Sequence, residues 1–270
     1  MENLMVSVIM ATFNEPVRYI KESIESILNQ TFTNFEFIII DDSTNPETIE
    51  AINSYAEDDR IIIIREKSRM GFTRALNEGL KMAKGQFIVR MDGDDISLKD
   101  RLEKQLEYLI SHKEIDILGG NMLIINESGT VVSQRNYPTN GLSLQFSAIF
   151  RSPVAHPTVM FRRSIVENHL FYDETFTKAE DTEYWFRLRN KGFTIANLPV
   201  NLLRFRISGD LAKKRSYEHF SYNFKARYKN FSWKYFYVDI PSILATRCYV
   251  FIPKKLISLY YSIENKKYSK

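Results

Sequence analysis

The chain has 270 residues, 44% of them apolar and 26% charged, with a net charge of +4 at pH 7 and one cysteine, Cys248. That length and apolar share support a sizeable core, and the lone cysteine excludes a disulfide framework and a multi-cysteine metal site. Charge is unevenly spread: residues 201–270 hold 15 Lys and Arg against 4 Asp and Glu, a net +11, with 16 of the 36 aromatics, while residues 1–200 carry −7. An acidic body joined to a basic, aromatic tail reads as a surface-binding appendage.

The first residues, MENLMVSVIMATFNEP, carry an acid at position 2 and only a short apolar run, so they read as neither signal peptide nor anchor. No window reaches the ~18 uninterrupted apolar residues that a membrane span needs. Residues 5–11 (MVSVIMA), 35–40 (FEFIII), 61–65 (IIIIR) and 86–91 (QFIVRM) are short β-rich runs. Between them lie helical patterns at Val17–Leu28, Pro46–Tyr55, Thr73–Ala83 and Leu98–Ile110. Strands alternating with crossover helices predict an α/β fold with a mostly parallel, Rossmann-like doubly wound sheet and helices on both faces. The nearly all-apolar strands suit a sheet covered on both sides.

From residue 115 the pattern loosens. Residues 116–125 and 130–138 read as strands around the turn NESG, 156–161 as a short strand, 182–192 as a helix, and 193–199 as another strand. The expected division is a catalytic domain over 1–210, with a ligand-binding half at 1–115 and a second half at 116–210, followed by a helical basic tail over 211–270.

Ligands of a doubly wound sheet sit beyond the carboxyl ends of its strands. Three of the four early strands end there in polar residues: ATFN after the first, DDS after the second, MDGDD after the fourth. Asp92 and Asp94 are two apart, so in extended backbone both carboxylates face one side, and Gly93 between them lets a ligand or a turn come close. Carboxylates converging with no Lys or Arg beside them would raise one another's pKa or repel. A hard divalent cation removes the conflict, and oxygen-only ligands suit Mg²⁺ or Mn²⁺. The positive object that makes this cluster tolerable is therefore expected outside the protein. The plain alternative is a solvated Asp-rich turn.

Four separated segments, VSVIMATFNE, FEFIIIDDSTNPET, RMGFTRALNEGLKMAKGQFIVRMDGDDISLKDRLEKQ and KAEDTEYWFRLRNKGF, resemble in order and spacing the nucleotide-sugar glycosyltransferases of family 2, over about residues 4–208. The resemblance is greatest to bacterial enzymes that build surface polysaccharides, and it implies a GT-A fold. It implies a nucleotide pocket lined by Thr12, Phe13, Asn14 and Glu15, with Asp41 and Asp42 by the base and ribose and Asp42 at the base. Asp92-Gly93-Asp94 matches the family's Asp-x-Asp motif, with Asp92 near ribose and metal and Asp94 on the Mn²⁺ or Mg²⁺ that bridges the diphosphate. Gly71 lies where the family has a loop and helix start near the nucleotide, and Arg69 or Arg74 there would add a positive group to the diphosphate. Glu180-Asp181 matches the family's catalytic pair, with Asp181 as the base. The helix predicted to begin just after Asp181 would hold it ionised, or Asp181 simply caps that helix. His156 stands where relatives often have a histidine, on the acceptor or phosphate side, or else is a packed structural residue. A later histidine of the family pattern is missing: the stretch reads LLRFRISGDLAKKR, with Ile207 and Ser208 in its place and Arg204, Arg206 or Lys213 as substitutes for its charge.

The reaction so implied is an inverting single displacement. It moves a sugar from a nucleoside-diphosphate donor, a UDP-sugar in the first instance, to a hydroxyl of a saccharide or lipid-linked saccharide. The basic aromatic residues 217–270 suit peripheral contact with anionic lipid, hence a cytoplasmic enzyme on the inner face of the membrane. The alternatives for the tail are helices packed on the catalytic domain or a homodimer interface. No groove-reading motif points to nucleic acid. Two rival functions are a non-catalytic nucleotide-sugar-binding scaffold and a nucleotidyltransferase. The latter wants a Gly-rich basic loop after the first strand, where ATFNEP has neither Gly nor Lys.

Overall fold

The structure, a computed structural model, describes residues 6–207 and 217–249. Its framework is four strands, β1 (Val6–Thr12), β2 (Phe35–Asp41), β3 (Ile61–Ile64) and β4 (Phe87–Asp92). They run parallel in the order β3-β2-β1-β4. The crossovers are α1 (Val17–Leu28), α2 (Pro46–Asn53) and α3 (Phe72–Met82). Every residue of β1 and β2 is buried, which is why these strands read as continuous apolar runs. Side-chain alternation divides the interior into two cores. Val6, Val8 and Met10 meet Ile20, Ile24 and Ile27 of α1 on one face, while Ile9 and Ala11 meet Ala75, Leu76 and Leu80 of α3 on the other. Local signals agree with this packing: Asn45 caps α2 by accepting the Glu47 N–H, and Pro46 occupies its first turn.

The second half extends the same sheet with β5 (Ile96–Ser97), α4 (Arg101–Ser111), β6 (Ile117–Ile125), β7 (Val131–Arg135), α5 (Gly141–Ser147), β8 (Met160–Arg162), α6 (Ser164–Glu167), α7 (Glu180–Asn190) and β9 (Ile195–Arg206). β8 joins β4 antiparallel, the order continues β8-β6-β9-β5, and β7 pairs with β6. Two differences from the sequence reading have local causes. Residues 156–158 form a single tight helical turn, with Pro157 lacking the N–H that a ladder needs, and only Met160–Arg162 pairs as a strand. β9 does not stop at residue 199. A register shift against β6 between Gly120 and Met122 passes over Pro199, and pairing resumes through Arg206.

Two more helices, α8 (Tyr217–Lys229) and α9 (Phe236–Tyr249), are docked on this body. Val238 packs with Ala148 and Phe186. Arg189 pairs with Asp239 at 2.9 Å, and Lys229 reaches Glu183 at 3.4 Å. Arg227 is buried and donates to the Ala148 carbonyl and the Ser242 hydroxyl. Residues 217–249 therefore fold as part of the domain, and packing does not divide the chain at residue 210. The rest of the expected tail, Lys213 and residues 250–270 included, lies outside the described residues. Among the described residues no helix is long and apolar enough to cross a membrane.

Candidate active site

Register aligns the strand ends. Thr12 lies opposite Asp41, and Ala11 opposite Asp92. A small cleft of about 110 Å³ opens there, bounded by Thr12, Phe13, Glu15, Asp42, Arg69, Gly71 and Asp92 to Asp94. The turn after β1 is held from within. Asn14, at φ 57°, accepts the N–H groups of Thr44 and Asn45 at 2.8 Å and so stitches the β1 loop to the β2 loop. The Glu15 carboxylate accepts from the Phe13 N–H at 2.8 Å and from the Thr12 hydroxyl, and burial pushes its pKa up, with the Asp94 charge adding to the shift. Asn14 thus shapes the pocket wall without bordering the cleft.

Asp42 takes the Met70 and Gly71 N–H groups, both at 2.8 Å. It anchors the loop that leads into α3, where Gly71 at φ 80° turns the chain in a way that L side chains rarely adopt. Arg69 lies 3.9 Å from Asp42 and places its guanidinium 3.8 Å from the centre of the Phe13 ring, which makes a flat cationic ledge on the cleft. Asp41 and Arg74 are placed elsewhere. The Asp41 carboxylate is fully buried, accepting from Arg65 and from the Ser43 N–H, and it does not border the cleft. Arg74 is exposed and borders neither cleft described here.

At the end of β4, oxygens of Asp92, Asp94 and Asp95 lie within 4.8 Å of one another. The expectation that no cation stands beside them is corrected by the structure. Arg90, two residues before Asp92 on the same strand face, is nearly buried and grips both oxygens of Asp92, one at 2.6 Å. Asp95 is fully buried; one oxygen accepts the Arg206 N–H at 2.8 Å, and the other, Oδ2, has no hydrogen-bond partner. Burial first, then the charges of Asp92 and Asp94, push its pKa well up. Three converging carboxylates with an orphaned buried oxygen fit a hard divalent cation, with Asp94 and Asp92 nearest the open side. Gly93 is tightly surrounded: a Cβ there would lie 3.0 Å from Thr12 Oγ1 and 3.1 Å from Glu15 Cδ, so these side chains would have to give way by a few tenths of an ångström.

Glu180 and Asp181 open α7 directly after Ala179, which is held at φ 56°, ψ 26°. Burial, then the neighbouring Asp181, push the Glu180 pKa up to about 7, and the charges of Arg90 and Asp92 also reach it. The two acid clusters therefore belong to one electrostatic unit. His156 is buried with Nε2 2.8 Å from the Tyr172 hydroxyl and Nδ1 3.9 Å from Glu180. Burial, then Arg90, hold its pKa well below the usual value, so it sits beside Glu180 as a neutral ring.

Asp181 is half-buried and borders a second, larger cleft of about 810 Å³. Its walls come from β6 and β7 (Met122, Arg135), the segment 147–157, α8 (Phe220, Asn223) and Thr246 of α9. The C-terminal helices thus build a wall of this cleft. Two features escaped the sequence reading. Arg90 was readable by the same two-residue alternation that pairs Asp92 with Asp94. Arg206 was weighed as a charge on a loop; it is instead buried at the end of β9, donating to the Asp94 carbonyl at 2.9 Å and pairing with Glu22. Arg204 is exposed.

The family described as glycosyl transferase family 2 matches residues 7–170. The chain is 31% identical to an uncharacterized glycosyltransferase of Methanocaldococcus jannaschii, over 99% of this chain and 96% of that protein. It is 34% identical to the O-antigen biosynthesis glycosyltransferase WbnJ of Escherichia coli, over 82% of this chain and 88% of that one. Among solved structures, S. aureus TarS 1–349 superposes with a TM-score of 0.69 at 21% identity, covering 90% of this chain and 72% of that one. Against a longer TarS chain the match spans 39% of its length. A mannosyltransferase of Pyrobaculum calidifontis, in complex with GDP-Man and Mn²⁺, gives a TM-score of 0.65 at 18% identity, covering 92% and 70%. At these identities the structures establish the shared GT-A-like fold.

Proposed function

Since the chain belongs to glycosyl transferase family 2, we propose that it moves a sugar from a nucleoside-diphosphate donor, UDP-linked in the first instance, to a hydroxyl of a saccharide or lipid-linked saccharide acceptor. One observation carries this reading: the acid cluster at the end of β4 and the acid pair that opens α7 act on each other through Arg90, with a small cleft on one side and a large one on the other. The nucleotide takes the small cleft, its base against the ledge of Phe13 and Arg69 with Asp42 behind. Crystal complexes of TarS with UDP-GlcNAc and UDP support such a donor.

In the large cleft Asp181 takes the proton of the acceptor hydroxyl as that oxygen attacks the anomeric carbon. The bond to the nucleoside diphosphate breaks on the opposite face, and configuration inverts. Asp181 is placed for this at the positive end of α7, where a helix N-terminus favours negative charge. Glu180, steadied by neutral His156, orients it. Bound Mn²⁺ or Mg²⁺, held by Asp94 and Asp92, supplies Lewis-acid neutralisation of the departing diphosphate. The same reading puts the enzyme on the inner face of the cell membrane, supported by the exposed apolar residues Phe236, Ile240 and Leu244 on one side of α9.

Asp181→Asn tests the base. Turnover should fall by about 10²- to 10⁴-fold while UDP affinity is kept; undiminished transfer removes Asp181 from that role. UDP binding that is the same in Mn²⁺ and in EDTA would remove the metal from Asp94.

A further inference from the structure

We propose that the large cleft contains a subsite for a phosphoryl group carried by the acceptor, formed by Arg135 and Arg151. This rests on the reading of that cleft as the acceptor site. Arg135 ends β7 on the same strand face as Tyr137, which also borders the cleft, and Arg151 lies over the Tyr137 ring at 4.7 Å. Both arginines are half-buried, and neither guanidinium makes a hydrogen bond or ion pair with any described residue. Arginines packed in the surrounding walls are different: Arg187 has Glu183, Arg189 has Asp239, and Arg206 has Glu22.

The residues bordering this cleft include three arginines, the third being buried Arg227, and one carboxylate, Asp181. Two half-buried cations that border one cleft, neither paired with a described carboxylate, favour a ligand that brings the counter-charge. The guanidinium fork matches the oxygens of a phosphate better than it matches neutral hydroxyls. The rim is apolar. Phe150, 69% exposed, borders the cleft, and Phe146 and Leu142 continue from it along α5. α5 is fastened to α9 by the Tyr237 hydroxyl on Gln145 at 2.6 Å, and α9 itself exposes Phe236, Ile240 and Leu244. A cationic floor beside an apolar rim fits an acceptor whose saccharide is linked through phosphate to an apolar chain. A phosphorylated saccharide without a chain would use the floor alone.

The test is titration calorimetry of the full chain with Mn²⁺ and saturating UDP, which keeps the donor cleft filled. The probes are farnesyl diphosphate, farnesol and inorganic pyrophosphate. Farnesyl diphosphate should bind, Arg135→Ala and Arg151→Ala should each weaken it by about tenfold or more, and Arg→Lys at either position should retain part of the affinity, keeping charge without the fork. Binding by the double alanine variant as tight as by the unaltered chain overturns the subsite, as does farnesol binding as tightly as its diphosphate. Farnesyl diphosphate held tighter than pyrophosphate assigns the phosphoryl group to a lipid-linked acceptor. Equal affinities assign it to a chain-free one. Absence of UDP binding by the unaltered chain counts against the donor reading alone, because farnesyl diphosphate reports on the arginines without it.

Discussion

Arg90 carries more of this site than its position suggests. It is nearly buried on β4, holds Asp92, and lies within electrostatic reach of Asp95 and Glu180. Removing one partner of a buried pair leaves an uncompensated charge, which costs about 3–5 kcal/mol. Arg90→Gln should therefore lower the melting temperature, and added Mn²⁺ should restore more stability to the variant than it adds to the parent, because the cation replaces the lost charge. An equal Mn²⁺ effect on both proteins would show that Arg90 and metal do not share the cluster. Glu180 gives a second prediction, with a definite sign. Its pKa rises from the ordinary 4.5 to about 7 in the fold, so its stabilising contribution is whole below 4.5 and is lost as pH climbs through 7. Glu180→Gln, which does not ionise, should melt above the parent at about pH 8 and match it near pH 4. A constant difference across thermal melts at those two pH values would contradict the assignment. The carboxylates were legible in the sequence because they cluster at strand ends. Arg90 was just as legible by spacing, two residues before Asp92 on the same strand, but its burial inside an apolar run depends on tertiary packing.

Among the elements, the strands of the first half were readable because burial on both faces makes them wholly apolar, and Asn45 and Pro46 announced the start of α2. β5, α5 and α6 were not readable: two to seven residues do not establish a period. The docking of α8 and α9 stood in the sequence only as one alternative among several, since it depends on pairs such as Arg189 with Asp239, fifty positions apart. That docking changes how membrane contact must be tested. A chain ending near residue 210 would uncover Phe186 and Ala148 and lose a wall of the large cleft, so lost vesicle binding would report damage as readily as lost contact. Phe236→Glu, Ile240→Glu and Leu244→Glu on the exposed side of α9 are cleaner. Surface changes of this kind shift stability by about 0.5 kcal/mol or less each. The triple variant should keep its melting temperature and lose sedimentation with anionic vesicles; full retention of vesicle binding would remove α9 as the contact. Inside the helix pair, Asp239→Ala should cost about 1–3 kcal/mol by removing the buried carboxylate that accepts from half-buried Arg189 and from the Ser232 N–H, measured by denaturant unfolding. A loss under 1 kcal/mol would mean that the pair does not fasten α9.

At the scale of the whole molecule, the doubly wound half supplies the small cleft and the extension of its sheet supplies one side of the large one. The charge asymmetry of the sequence reads as a surface-binding appendage from residue 201, whereas the described part of that basic segment, residues 217–249, packs on the body and walls the large cleft. The two clefts share only the electrostatic unit of Arg90, Asp92 and Glu180, and every residue bordering the small cleft comes from the first 94. α8 and α9 touch the large cleft alone. The two clefts are thus separate in sequence as well as in space. On the proposed reading, exchanging residues 217–249 for another docked helix pair should change which acceptor is used and leave the choice of donor as it was.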